Sequence, residues 1–178
     1  QCLGDSVSRV ERRLPASFGL IAPHAGYMYS GAVAGKGFQE IAELGRPDVV
    51  ILLGASHSGR GHWFALSPSA TWETPLGRSP VDEAIRSELM RASFPLEQSP
   101  FAREHSMEVQ LPFVQVLWGL ETPILPICVR PVSVEQLQEA ARVLAKALEG
   151  RQALLVASSD FTHYESDEAA RTLDGLAL

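Results

Sequence analysis

The chain has 178 residues, 46% of them hydrophobic and 20% charged, the profile of one soluble globular domain with a sizeable core rather than of a disordered or membrane-embedded chain. Its formal net charge of −6, with no cluster of Lys and Arg, excludes a nucleic-acid surface, and no apolar run is long enough to span a bilayer. Two cysteines, Cys2 and Cys128, are too few for a disulfide framework and fit a reducing cytoplasm.

The first strand-like run, residues 18–22, leads into a loop, Pro23-His24-Ala25-Gly26-Tyr27-Met28-Tyr29-Ser30-Gly31, followed by helical period over 32–44. A second apolar run, 48–54, leads into Gly54-Ala55-Ser56-His57-Ser58-Gly59. Residues 62–80 break the rhythm; 62–66 and 69–77 read as short strands around a Ser67-Pro68 turn, a hairpin or lid beside the crevice. Helices are expected over 81–92 and 106–119, the latter beginning near Pro112 or kinking there. A strand at 123–129 holds Cys128 as a small buried hydrophobe, and Cys2 reads as a free thiol in a polar terminal stretch. The clearest helix is 134–149, with Ser133 and Gln136 as a capping box and Gly150 where a C′ glycine belongs. A last strand, 152–158, precedes Ser158-Ser159-Asp160-Phe161-Thr162-His163 and a helical pattern over 165–178. Near-continuous apolar strands between helices imply a doubly wound, mostly parallel α/β sheet covered on both faces. Gln1 opens the chain without methionine and the final helical pattern has no capping signal, so 1–178 is expected to be a single domain lacking part of its C-terminal region.

His24, His57 and His163 each fall just past a strand, and strand-end loops form the ligand crevice of an open α/β sheet. Imidazoles gathered there hold a transition metal or move protons near neutral pH. Asp160, three residues before His163, is spaced to orient that imidazole, or simply to cap the next helix. Tyr29 offers a hydroxyl at the crevice rim, while Glu104 and His105, just ahead of an apolar helix, read as supporting residues or as an ordinary acidic first turn. Ser56, beside His57, is also expected to line the pocket, although Gly54-Ala55-Ser56-His57 is not the Gly-x-Ser-x-Gly nucleophile elbow. Gly31-Ala32-Val33-Ala34-Gly35-Lys36-Gly37 has the wrong spacing for a phosphate-binding loop and lacks Ser or Thr after the lysine. His62 joins no constellation.

Taken together and in order, Ala22-Pro23-His24-Ala25-Gly26-Tyr27, Gly54-Ala55-Ser56-His57, Trp72-Glu73-Thr74-Pro75-Leu76-Gly77, Glu104-His105-Ser106-Met107-Glu108-Val109-Gln110-Leu111-Pro112-Phe113 and Ser158-Ser159-Asp160-Phe161-Thr162-His163 resemble the Memo family, called AmmeMemoRadiSam system protein B in bacteria and archaea. That resemblance implies a fold related to the LigB-class extradiol dioxygenases. It implies His24 and His57 as ligands to iron or copper and His163 as an acid–base residue supported by Asp160. The family's remaining ligand is a cysteine in its C-terminal part, a position that Cys128 does not match. The resemblance does not license ring cleavage, since relatives in fold often differ in chemistry. The expected function is a histidine-lined metal site with redox or oxygen-dependent chemistry on a small molecule. The alternatives are a non-enzymatic peptide- or phosphopeptide-binding signalling module in the same pocket, and metal-dependent hydrolysis.

Overall fold

The computed structural model describes residues 10–176; Cys2 and the last two residues of the final helical pattern lie outside that range. Strand β1 (Phe18–Ala22) leads to helix α1 (Tyr27–Leu44), β2 (Val49–Ala55), β3 (Phe64–Leu66), β4 (Thr71–Thr74), β5 (Gly77–Pro80) and α2 (Glu83–Arg91). A 3₁₀ turn (Glu108–Gln110) then runs into α3 (Leu111–Trp118), followed by β6 (Ile124–Val129), α4 (Val134–Ala147), β7 (Ala153–Ser158) and α5 (Asp167–Asp174).

Five strands form one sheet in the order β1-β7-β2-β6-β3. The first four are parallel and β3 is antiparallel to β6, which gives the mostly parallel α/β sheet expected from the sequence. In β2 the residues Val49, Val50, Ile51 and Leu52 are all fully buried, as a strand covered on both faces requires. Alternate rows face opposite layers. The row holding Leu20 and Leu52 meets α1, where a Cβ on Gly37 would lie 2.8 Å from Leu20, and α3 packs beside α1. The opposite face, which holds Leu53 and Leu155, looks onto α4, with α2 packed beside that helix. Pro126 is tolerated within β6 because its carbonyl, and so its ring nitrogen, points to the β3 side just past the end of that strand, where the Ser67 amide donates to the Pro126 carbonyl at 3.4 Å.

Three sequence expectations need correction. α1 starts at Tyr27 rather than near residue 32, so Tyr27, Tyr29 and Ser30 sit in its first turn and not in a loop. No side chain caps it locally; the amides of His24 and Ala25 just ahead are taken by Asp160, 135 residues or more along the chain. Residues 62–80 are not one hairpin. β3 joins the edge of the main sheet, and the hairpin is β4–β5 with its turn at Pro75-Leu76. Nor is this hairpin a lid on the histidine crevice: Thr74 donates to Gln115 of α3, and no residue of 62–80 lines the histidine cavity. The helix expected over 106–119 divides as the Pro112 signal implies, with Pro112 in the first turn of α3. The capping box on α4 is present, with Ser133 accepting from the Gln136 amide and Gln136 reaching back to the Ser133 amide.

Candidate metal centre

Strand register brings the site together. Ala22, Ser158, Gly54 and Cys128 form one row across β1, β7, β2 and β6 at their carboxyl ends. His24 follows that row by two residues, Asp160 by two and His57 by three, so all three emerge over one edge of the sheet. They line a cavity of about 900 Å³ together with His105, His163, Tyr29 and Tyr164.

The tight cluster within it is His24, His57 and His105, whose ligand nitrogens all lie within 4.8 Å of one another. Ring centroids are 5.3 Å apart for His24 and His57 and 5.6 Å for His24 and His105; His57 and His105 stack at 4.8 Å. Nitrogens bound to one tetrahedral ion stand about 3.4 Å apart. His24 is buried and His57 is held through Nδ1, whereas the half-exposed ring of His105 has room to turn through the difference.

A buried carboxylate stands behind the cluster. Glu104 is 6% exposed; its Oε2 accepts the His57 amide at 2.8 Å, and its Oε1 faces His57 Nδ1 at 2.9 Å and accepts the Ser106 amide at 2.9 Å. Burial pushes the Glu104 carboxyl up, but these hydrogen bonds outweigh it and hold the value at about 2. An ionised carboxylate only accepts, so His57 Nδ1 carries hydrogen, and in the neutral ring it is Nε2 that offers its lone pair to the cavity. Burial, reinforced by His57 and His105, pulls the His24 pKa down against the opposing pull of Asp160 and keeps it the neutral imidazole that a metal requires.

Asp160 bridges the two sides of the cavity. Its Oδ1 accepts from the amides of His24 and Ala25, while Oδ2 lies 3.7 Å from His24 Nε2 and 3.4 Å from His163 Nε2. His163 is half-exposed at the rim, on a segment where Phe161 and Tyr164 take left-handed φ values of +58° and +56°. Tyr29 also stands exposed at the rim. Ser56 faces elsewhere: it lines the apolar cleft under α4, of about 1010 Å³, which His57 also borders. Cys128 is a buried free thiol raised to about 11, chiefly by burial, and is not in the histidine cluster. Sequence reasoning singled out neither Ser158 nor Gln110, which stand behind His24; the available signal was a polar glutamine inside the apolar run 109–114.

The fold and site define an α/β protein carrying a histidine cluster, backed by a buried carboxylate, on the carboxyl edge of its sheet. The chain belongs to the Memo-like family: the family's sequence profile, described as Memo-like protein, matches residues 5–178. Relatives described as MEMO1 family proteins include one from Thermotoga neapolitana, 40% identical over 98% of this chain and 64% of its own length. One from Pyrobaculum aerophilum is 39% identical over 99% of this chain and 64% of its own, and one from Nitrosopumilus maritimus 40% identical over 88% and 58%. The chain therefore spans less than two thirds of the length of these relatives.

Proposed function

We propose that this chain is a metal-binding protein whose cluster holds iron or copper and serves redox or oxygen-dependent chemistry on a small molecule. The observation that carries the reading is the approach of three imidazole nitrogens to within 4.8 Å, with the buried Glu104 fixing one of them. His24 and His57 are the principal ligands, and His105 stands close enough to be the third. Imidazole donors favour a transition metal over magnesium or calcium. Bound iron or copper supplies one-electron redox chemistry.

The chain's own groups do the rest. Glu104 orients His57, and His163, with Nδ1 on the Phe161 carbonyl at 3.2 Å and Nε2 3.4 Å from the Asp160 carboxylate, is the acid–base residue at the cavity rim. Tyr29 contributes a hydroxyl to the same rim. No helix among the described residues is long and apolar enough to cross a membrane, and the buried free thiol of Cys128 suits a reducing cytoplasm.

Anaerobic titration with Fe(II), Cu(I) and Zn(II) tests the reading. Wild type binds near one equivalent of iron or copper, His24→Ala and His57→Ala lose that site, and His163→Ala retains it within about twofold. Equal binding by wild type and His57→Ala defeats the metal reading. Binding of Zn(II) alone defeats its redox part. Absence of any metal binding, together with peptide binding that strengthens as the histidines protonate, replaces it with the peptide-module alternative.

A further inference from the structure

We infer that Ser158 is a positioning residue for His24: its hydroxyl oxygen accepts a hydrogen bond from His24 Nδ1–H and thereby leaves the Nε2 lone pair facing the cluster. The purpose of this arrangement rests on the metal reading above; the arrangement itself does not.

A serine hydroxyl has one proton to give and two lone pairs. Ser158 Oγ has three buried neighbours: the Ser106 carbonyl at 2.6 Å, Gln110 Nε2 at 2.9 Å and His24 Nδ1 at 3.0 Å. A carbonyl can only accept, so the proton of Ser158 goes to Ser106, the shortest of the three contacts. An amide nitrogen only donates, so Gln110 takes one lone pair. The remaining lone pair faces His24 Nδ1, and this contact is a hydrogen bond only if that nitrogen carries hydrogen.

The orientation of Gln110 is fixed independently. Its Nε2 also lies 3.0 Å from the Pro23 carbonyl and 3.4 Å from that of Ala22. Turning the amide over would set Oε1 against both carbonyls. The observed orientation leaves Oε1 without a protein partner, and it is still the better of the two. Gln110 is fully buried, Ser158 is 5% exposed and His24 4% exposed, so water does not offer an alternative geometry cheaply.

This assignment opposes a competing pull. Asp160 Oδ2 stands 3.7 Å from His24 Nε2, and a carboxylate there favours hydrogen on Nε2, which would remove the donor lone pair. The nearer contact with Ser158 decides the tautomer. His24 and His57 thus reach the same state by different devices, a hydroxyl with its proton already committed and a buried carboxylate.

Long-range ¹H–¹⁵N correlation of the histidine side chains in metal-free protein reads the tautomer directly. His24 is expected to show a protonated Nδ1 and a bare Nε2 in wild type and in Ser158→Thr, which keeps the hydroxyl. In Ser158→Ala the proton is expected to move to Nε2, and affinity for Fe(II) to fall roughly 10–100-fold, with Ser158→Thr restoring it to within a few-fold. A wild-type His24 with bare Nδ1 overturns the inference, and this measurement needs no variant to fold. So does a Ser158→Ala protein that keeps the Nδ1 proton, or that switches tautomer and still binds Fe(II) as tightly. If wild type binds no metal while the tautomers behave as stated, the metal reading fails and the role of Ser158 stands.

Discussion

Replacing Glu104 with glutamine separates the supporting carboxylate from the packing around it. The side chain is buried, and its two oxygens meet the amides of His57 and Ser106 and His57 Nδ1. Its carboxyl is held at about 2 against an ordinary 4.5. At about 1.4 kcal/mol per pH unit that difference is worth about 3 kcal/mol of stability. Because the folded-state value lies below the unfolded one, this stabilisation is complete above about pH 5 and lost as pH falls toward 2. About 2 kcal/mol of it is gone by pH 3. Against a net stability of about 5–15 kcal/mol for a domain, the effect is large enough to read.

The assay is urea unfolding of metal-free protein, followed by tryptophan fluorescence, at a series of pH values from 7 to 3. Glu104→Gln keeps the volume and one acceptor oxygen, but its amide group is a donor placed against donors. It is expected to be about 2–3 kcal/mol less stable than wild type at pH 7 and to converge on wild type as pH falls. A constant gap between the two proteins from pH 7 to pH 3 refutes the reasoning, because the carboxylate would then contribute nothing through its ionised form.

Gly54→Ala is expected to destabilise by about 1–3 kcal/mol and to weaken metal binding, since a Cβ there would lie 2.5 Å from Met107 Cγ and from Ser106 Oγ and would push on the carbonyl that anchors Ser158; thermal melts and Fe(II) titration read both effects. Ser133→Ala removes the α4 capping box at a cost of about 1 kcal/mol, seen as a fall in Tm of about 2–4 °C with metal binding unchanged. In a Cys2→Ser background, Cys128 is expected to resist a thiol reagent at pH 8 while folded and to react promptly in denaturant, because burial holds its thiol at about 11; prompt reaction of the folded protein contradicts that burial.

The four parallel strands were legible because each carries a nearly continuous apolar run, and α4 because its cap is local: Ser133 and Gln136 are three residues apart. The start of α1 was not legible for the opposite reason. The carboxylate that satisfies the amides ahead of it belongs to Asp160, and no spacing rule along the chain connects that residue to His24. The same distinction divides the site. His24, His57 and His163 stand at strand ends, where a general rule about open sheets draws attention to them. His105 reaches the cluster from the stretch between α2 and the 3₁₀ turn, where no such rule applies, so its closeness to His57 is a product of packing alone.

The order of the strands explains why the supporting network was hidden. β1 and β2 follow one another in the chain, yet β7 lies between them in the sheet. That insertion sets Ser158 opposite both Ala22 and Gly54 and carries Asp160 into the gap between the loops that bear His24 and His57. Had β1 paired directly with β2, the two loops would be neighbours, and the Ser158 hydroxyl would not stand beside His24 Nδ1. The histidines can be read from local sequence, but the chemistry of His24 depends on a strand that arrives more than a hundred residues later. Its tautomer is therefore a property of the topology, set by the register that places Ser158 between Ala22 and Gly54.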